Sequence, residues 1–148
     1  MVSVVFASDH GGFLYKNLLI EYISNKGYTI IDVGCGSNEA VDFPIYAKLA
    51  CEKILNGEAS IGVLICGSGN GMAIAANRFN GIRCAVCHDY FTAVNSRKKD
   101  NTNMIALGER VIGIEVAKQM VEAFLESKFI EGNEDYIRRS QMCDLINP

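Results

Sequence analysis

Cys66 is followed by Gly67-Ser68-Gly69-Asn70-Gly71, and the run before it, Ile61-Gly62-Val63-Leu64-Ile65, is apolar and rich in β-branched residues. A strand that turns through three glycines into Met72-Ala73-Ile74-Ala75-Ala76 aims backbone N–H groups and the positive end of a helix dipole at one spot. A cysteine beside that spot is expected to be acidified and can serve as a nucleophile or as a general base. Amides already fixed in place would receive the charge of an oxyanion. The competing reading is a thiol that ends a buried strand and only packs. Asp9-His10 closes the first apolar run. Such a pair can bind sugar hydroxyls or move protons near neutral pH, and either residue alone could merely cap the next helix. His88 also ends an apolar run, where a lone imidazole is more often structural. Arg110 follows a further run through Gly108-Glu109, a place that suits bidentate phosphate binding. The remaining basic residues are scattered and read as solvated surface.

The elements that must position these groups alternate. Apolar runs at 2–7, 28–33, 61–65, 82–87 and 104–107 read as strands. Between them, helical patterns cover 13–25, from Pro44 to about Leu55, from Met72 to near Phe79-Asn80-Gly81, 89–99 and 113–127. The first carries its stripe on Phe13, Leu14, Leu18, Leu19, Tyr22 and Ile23 and closes at Lys26-Gly27; Asp42 and Pro44 suit the start of the second. A short amphipathic tail helix at 134–146 has no strand after it, so it either caps its own domain or packs on another subunit. Five strands joined by helices through short loops predict one α/β domain over 1–148, a Rossmann-like three-layer sandwich with a parallel sheet. Ligands of such sheets sit outside the carboxyl ends of the strands, where Asp9, His10, the loop near Asp42, Cys66 to Gly71, His88 and Arg110 would converge.

Composition narrows the classes. A chain of 148 residues with a net charge of −3 has no basic field for nucleic acid, and no apolar run approaches a membrane span. The start lacks the basic segment of a signal peptide. The six cysteines read as reduced thiols of a cytoplasmic protein; Cys84 and Cys87 lie three apart on one strand and face opposite ways, so they would not share a metal. Gly67-x-Gly69-x-Gly71 only weakly resembles a dinucleotide fingerprint, because Met72 stands where a glycine is needed and the loop follows the third strand.

Taken together, Ser8-Asp9-His10-Gly11-Gly12 with Lys16, Val41-Asp42-Phe43-Pro44, Ile65 through Gly71, Ala75-Ala76-Asn77-Arg78, and Asn103 through Gly108-Glu109-Arg110-Val111 make the chain resemble type B ribose-5-phosphate isomerases and the galactose-6-phosphate isomerase subunits. The likeness covers Ser3 to about Phe129. It implies an aldose–ketose isomerase that uses neither metal nor cofactor, built as a homodimer with shared sites, a tetramer being left open. It also implies that Cys66 is the base moving a proton between C2 and C1, and that Gly67, Ser68, Gly69, Asn70 and Gly71 hold the enediolate. Asp9 and His10 would contact the sugar, and Arg110 would bind phosphate across the subunit boundary. Lys99-Asp100 stands where many members carry His-Asn, the histidine being assigned to ring opening. Lys99 could take that role if burial depressed its pKa, with Asp100 as a substrate contact. Phe43 replaces a customary tyrosine, and Ile137 falls at a tail arginine position that Arg138 or Arg139 could replace. The expected reaction is interconversion of ribose 5-phosphate and ribulose 5-phosphate in pentose phosphate metabolism. The alternatives are a six-carbon 6-phosphate substrate, or a sugar-phosphate-binding relative without catalysis.

Overall fold

The computed structural model describes residues 2–146. Five parallel strands, β1 (Ser3–Ser8), β2 (Thr29–Asp32), β3 (Ile61–Cys66), β4 (Cys84–Val86) and β5 (Met104–Gly108), form one sheet in the order β2-β1-β3-β5-β4. The helices are α1 (Phe13–Ser24), α2 (Phe43–Leu55), α3 (Asn70–Ala76), α4 (Tyr90–Asp100), α5 (Ile114–Glu126) and α6 (Glu134–Ile146), with a single 3-10 turn at His10–Gly12. The expected sandwich is therefore present, and its core divides by sheet face. Val4, Phe6, Val63 and Ile65 pack with Leu19 and Ile23 of α1, Ala93 of α4 and Ala117, Met120 and Phe124 of α5. Val5, Ala7, Leu64 and Cys66 pack with Ala47, Ala50 and Cys51 of α2 and Met72, Ala73 and Ala76 of α3. Alternation along each strand sends successive side chains to opposite layers. Cys87 accordingly lies in the first cluster while Cys84 packs on the second.

Some boundaries differ from the sequence pattern. The strand expected at 82–87 is ordered only over Cys84–Val86, and α3 stops at Ala76, short of the Phe79-Asn80-Gly81 expected to end it. Asp42 occupies the N-cap position of α2, yet its side chain makes no capping bond, and Pro44 falls in the first turn. The buried face of α1 runs through Lys16, Leu19 and Ile23, and Leu14 is 58% exposed. The lysine was invisible as a core residue because its partner is remote: Lys16 Nζ reaches Asp32 Oδ2 at 2.7 Å.

The chain turns one way from β1 to β2 and the other way to β3 and beyond. The crevice that this reversal opens lies at the carboxyl ends of β1 and β3, where Asp9 and Cys66 stand.

Candidate active site

Cys66 is the last residue of β3 and only 5% exposed. Its Sγ accepts a hydrogen bond from the Gly69 N–H at 3.0 Å. That contact depends on the turn: Gly69 has φ 83°, the left-handed region, which aims its N–H back at the strand end. The helix proper begins at Asn70 and is seven residues long, one residue beyond the amide that meets the sulfur. Cys66 belongs to the core cluster on the α2 and α3 face of the sheet and also borders open space. Cys66, Gly67, Ser68 and Gly71 line a cavity of about 530 Å³ together with Asp9, Phe43, Arg110 and Val111.

Each wall has an identifiable support. Asp9 Oδ1 accepts from the Gly11 N–H at 2.9 Å, so the carboxylate caps the 3-10 turn and also faces the cavity. Asp9 is thus a cap, as one of its readings had it, and it also lines the cavity. His10 Nδ1 accepts from the Val41 N–H at 3.1 Å, which fixes the ring against the loop before α2 and leaves the Nε2 position to carry the proton. The Phe43 ring rests on Gly71, where a methyl group would meet it at 3.0 Å. The Arg110 side chain lies along Gly67, its Nε 3.7 Å from where a Cβ would be, and its N–H donates to the Gly67 carbonyl at 3.1 Å. Among the described residues no carboxylate pairs with the Arg110 guanidinium. A cation without an ion-pair partner and a cysteine lining the same cavity suit an anionic ligand. Ser68 Oγ accepts from the Asn70 N–H at 3.2 Å, tightening the same loop.

His88 has the structural role. Its Nε2 accepts from the Gly108 N–H at 2.9 Å, and burial holds its pKa below the ordinary 6.5. A neutral ring is what an acceptor at Nε2 requires. The bond fixes the end of β5 where a methyl group on Gly108 would meet the Gly67 carbonyl oxygen at 2.7 Å.

Lys99, Asp100 and Arg138 do not reach this cavity within one chain. The α4 helix starts beside the carboxyl ends of the strands and runs back for 11 residues, about 16 Å. Its last residues therefore lie at the opposite edge of the sheet. There the Asp100 carbonyl accepts from Arg83 Nη2 at 2.8 Å, and Lys99 Nζ stands 5.8 Å from the centre of the Tyr136 ring. Arg138 pairs with Asp135 at 2.8 Å on the exposed tail helix. Arg110, which the resemblance assigned across a subunit boundary, lies against the cavity of its own chain.

A dinucleotide has no seat. Asp32, at the end of β2 where a ribose-binding carboxylate would stand, is held by Lys16 and accepts from the Gly34 N–H at 2.9 Å. Met72 is fully buried and packs in the core. Among the described residues no group of three or more His, Cys, Asp or Glu side chains could hold a metal. Two residues quoted in the sequence motifs turn out to be supports: Glu109, whose Oε1 accepts from the Tyr15 N–H at 2.7 Å, and Phe43, whose ring rests on Gly71.

Comparison with known proteins shows the family. The Ribose/Galactose Isomerase family model matches residues 4–142. The chain belongs to this family of sugar-phosphate isomerases. It is 40% identical over 132 residues to ribose-5-phosphate isomerase B of Escherichia coli (strain K12), with 89% of each chain covered. It is also 40% identical over 114 residues to the galactose-6-phosphate isomerase subunit LacB of Clostridium acetobutylicum, covering 77% of this chain and 66% of that one. Among solved structures, ribose-5-phosphate isomerase B of Clostridium thermocellum superposes with a TM-score of 0.95 at 36% identity, over 98% of this chain and 97% of the other.

Proposed function

We propose that the chain interconverts ribose 5-phosphate and ribulose 5-phosphate, with Cys66 as the base. The observation that carries this reading is the 3.0 Å bond from the Gly69 N–H to the Cys66 sulfur at the wall of the cavity. That amide places a donor directly against the sulfur at the strand end. The thiolate takes the proton from C2 of the open-chain aldose. The freed electron pair forms the C1–C2 double bond, and negative charge collects on O1 within reach of the 67–71 loop. A proton passes from O2 to O1, the carbonyl forms at C2, and the sulfur returns its proton to C1. Arg110 holds the phosphate, and Asp9 and His10 face the sugar.

The site is completed by a second subunit. Lys99, Asp100 and Arg138 stand at the far edge of the sheet in their own chain, so any part they play in opening the ring or holding the substrate is played in a partner's cavity. We place this reaction in the cytoplasm; among the described residues no helix is long and apolar enough to cross a membrane.

Cys66→Ala and Cys66→Ser test the base. Turnover of ribose 5-phosphate should fall by about 10²–10⁴-fold, the usual range for losing a positioned base, with the thermal midpoint little changed. Full activity in the alanine variant rejects the proposal. A six-carbon 6-phosphate is the second reading, favoured by the likeness to the LacB subunit. Comparing kcat/KM on ribose, allose and galactose phosphates decides between them.

A further inference from the structure

The loop that carries Arg110 is gripped at both ends by one residue of α1. Tyr15 is the third residue of that helix, so its N–H is one of the first four that no helical carbonyl can satisfy. It donates instead to Glu109 Oε1, at 2.7 Å, across 94 positions of sequence. The Tyr15 hydroxyl donates to the Ile112 carbonyl at 2.9 Å. The Tyr15 and Ile112 side chains both pack against the core cluster on that face of the sheet, so the grip is anchored in the protein interior. The same loop is tied to the catalytic turn by backbone bonds, Glu109 N–H to the Cys66 carbonyl at 2.9 Å and Arg110 N–H to the Gly67 carbonyl at 3.1 Å. Arg110 itself is exposed, and among the described residues it makes no ion pair that would orient it. Its backbone is fixed by its own bond to the Gly67 carbonyl and by the bonds of Glu109 and Ile112 on either side.

We propose that Tyr15 and Glu109 are positioning residues for the anion end of the site: the clamp holds the 109–112 loop so that the Arg110 guanidinium stays along Gly67, aimed at a phosphate. Glu109 does not touch the substrate. Its carboxylate is consumed at the start of α1, where the helix dipole favours negative charge, and its neighbour benefits. The clamp serves the sugar-phosphate site described above and rests on that reading.

The test uses Glu109→Ala, Glu109→Gln, Tyr15→Phe and Arg110→Ala in the full chain. Two quantities are read: the Kd of inorganic phosphate by titration calorimetry, and KM and kcat on ribose 5-phosphate. Glu109→Ala should raise the phosphate Kd and KM together by roughly tenfold, the equivalent of one charge-assisted hydrogen bond, with kcat within about twofold. Glu109→Gln keeps an oxygen acceptor for the Tyr15 N–H and should restore both values to within about threefold of the parent. Unchanged phosphate affinity in a folded Glu109→Ala chain overturns the clamp. So does a fall in kcat at constant KM, or a glutamine variant as impaired as the alanine one. Should Glu109→Ala fail to fold, Tyr15→Phe removes only a hydroxyl of the same clamp; a weaker phosphate Kd then supports the proposal and an unchanged one overturns it. A parent chain that binds phosphate no more tightly than Arg110→Ala also overturns it. A parent chain that binds phosphate but isomerises no sugar phosphate rejects the proposed activity and leaves the clamp standing.

Discussion

A single amide sets the environment of Cys66, and a single backbone angle aims that amide. Gly69 sits at φ 83° with a methyl group's place only 3.0 Å from the Leu107 carbonyl carbon. Gly69→Ala should therefore cost about 1–3 kcal/mol of stability from strain at a left-handed position and turn the N–H away from the sulfur. Chemical denaturation and kcat measured on the same preparation check this, and both should fall. Burial governs three other thiols. Cys51 is pushed up to about 12, and Cys84 and Cys87 are also raised, each chiefly by desolvation. Native protein treated with an alkylating agent near neutral pH should remain unmodified at these three positions, while the exposed Cys143 reacts. Mass spectrometry of the digested protein reads the pattern directly.

At the level of elements, the carboxyl edge of the sheet is a set of loop ends tied to one another. His88, just past β4, takes the Gly108 N–H and so holds the end of β5 against the cysteine turn. Its pKa lies below 6.5 in the folded chain. The unfolded chain then binds more protons in the window just under 6.5, so stability rises with pH there, is complete above it, and is lost as pH falls through the folded value. His88→Gln offers an acceptor that does not titrate. Its thermal midpoint should depend less steeply on pH below 6.5 than that of the parent, and equal slopes would remove His88 from this role. Much of this edge is legible in the sequence, because turns are written in local chemistry. Glycines after an apolar run, Asp9-His10 at a strand end and the interval from Met104 to Arg110 all mark where loops gather. What stays hidden is what depends on distant partners. Lys16, which the apolar stripe of α1 leaves out, is buried against Asp32, and Leu14, which the stripe includes, is 58% exposed. Glu109 reads as a surface carboxylate until Tyr15 arrives from the other end of the chain. The length of α4, rather than any motif, carries Lys99 and Asp100 to the wrong edge for their own cavity.

For the whole molecule, that separation makes the proposed partnership testable. Chains carrying Cys66→Ala and chains carrying Lys99→Met should each be weak alone. Mixed and reassembled as random dimers, they should recover about a quarter of parental turnover, since half the dimers would be mixed and each would hold one intact site. No recovery would confine each site to one chain. The tail helix α6 has no buried residue, and Met142, Leu145 and Ile146 are more than half exposed, so it gains little from its own domain. The middle of the sheet is the opposite case. All six residues of β3 are buried and the strand is paired on both sides. In heavy water its amides should be among the last to take up deuterium, because opening them requires the whole domain to come apart. The proposed base thus rides on a strand locked in from both sides, while the guanidinium meant for phosphate owes its place to a handful of bonds made by a loop: the anchor is the sheet, and the reach is borrowed from α1.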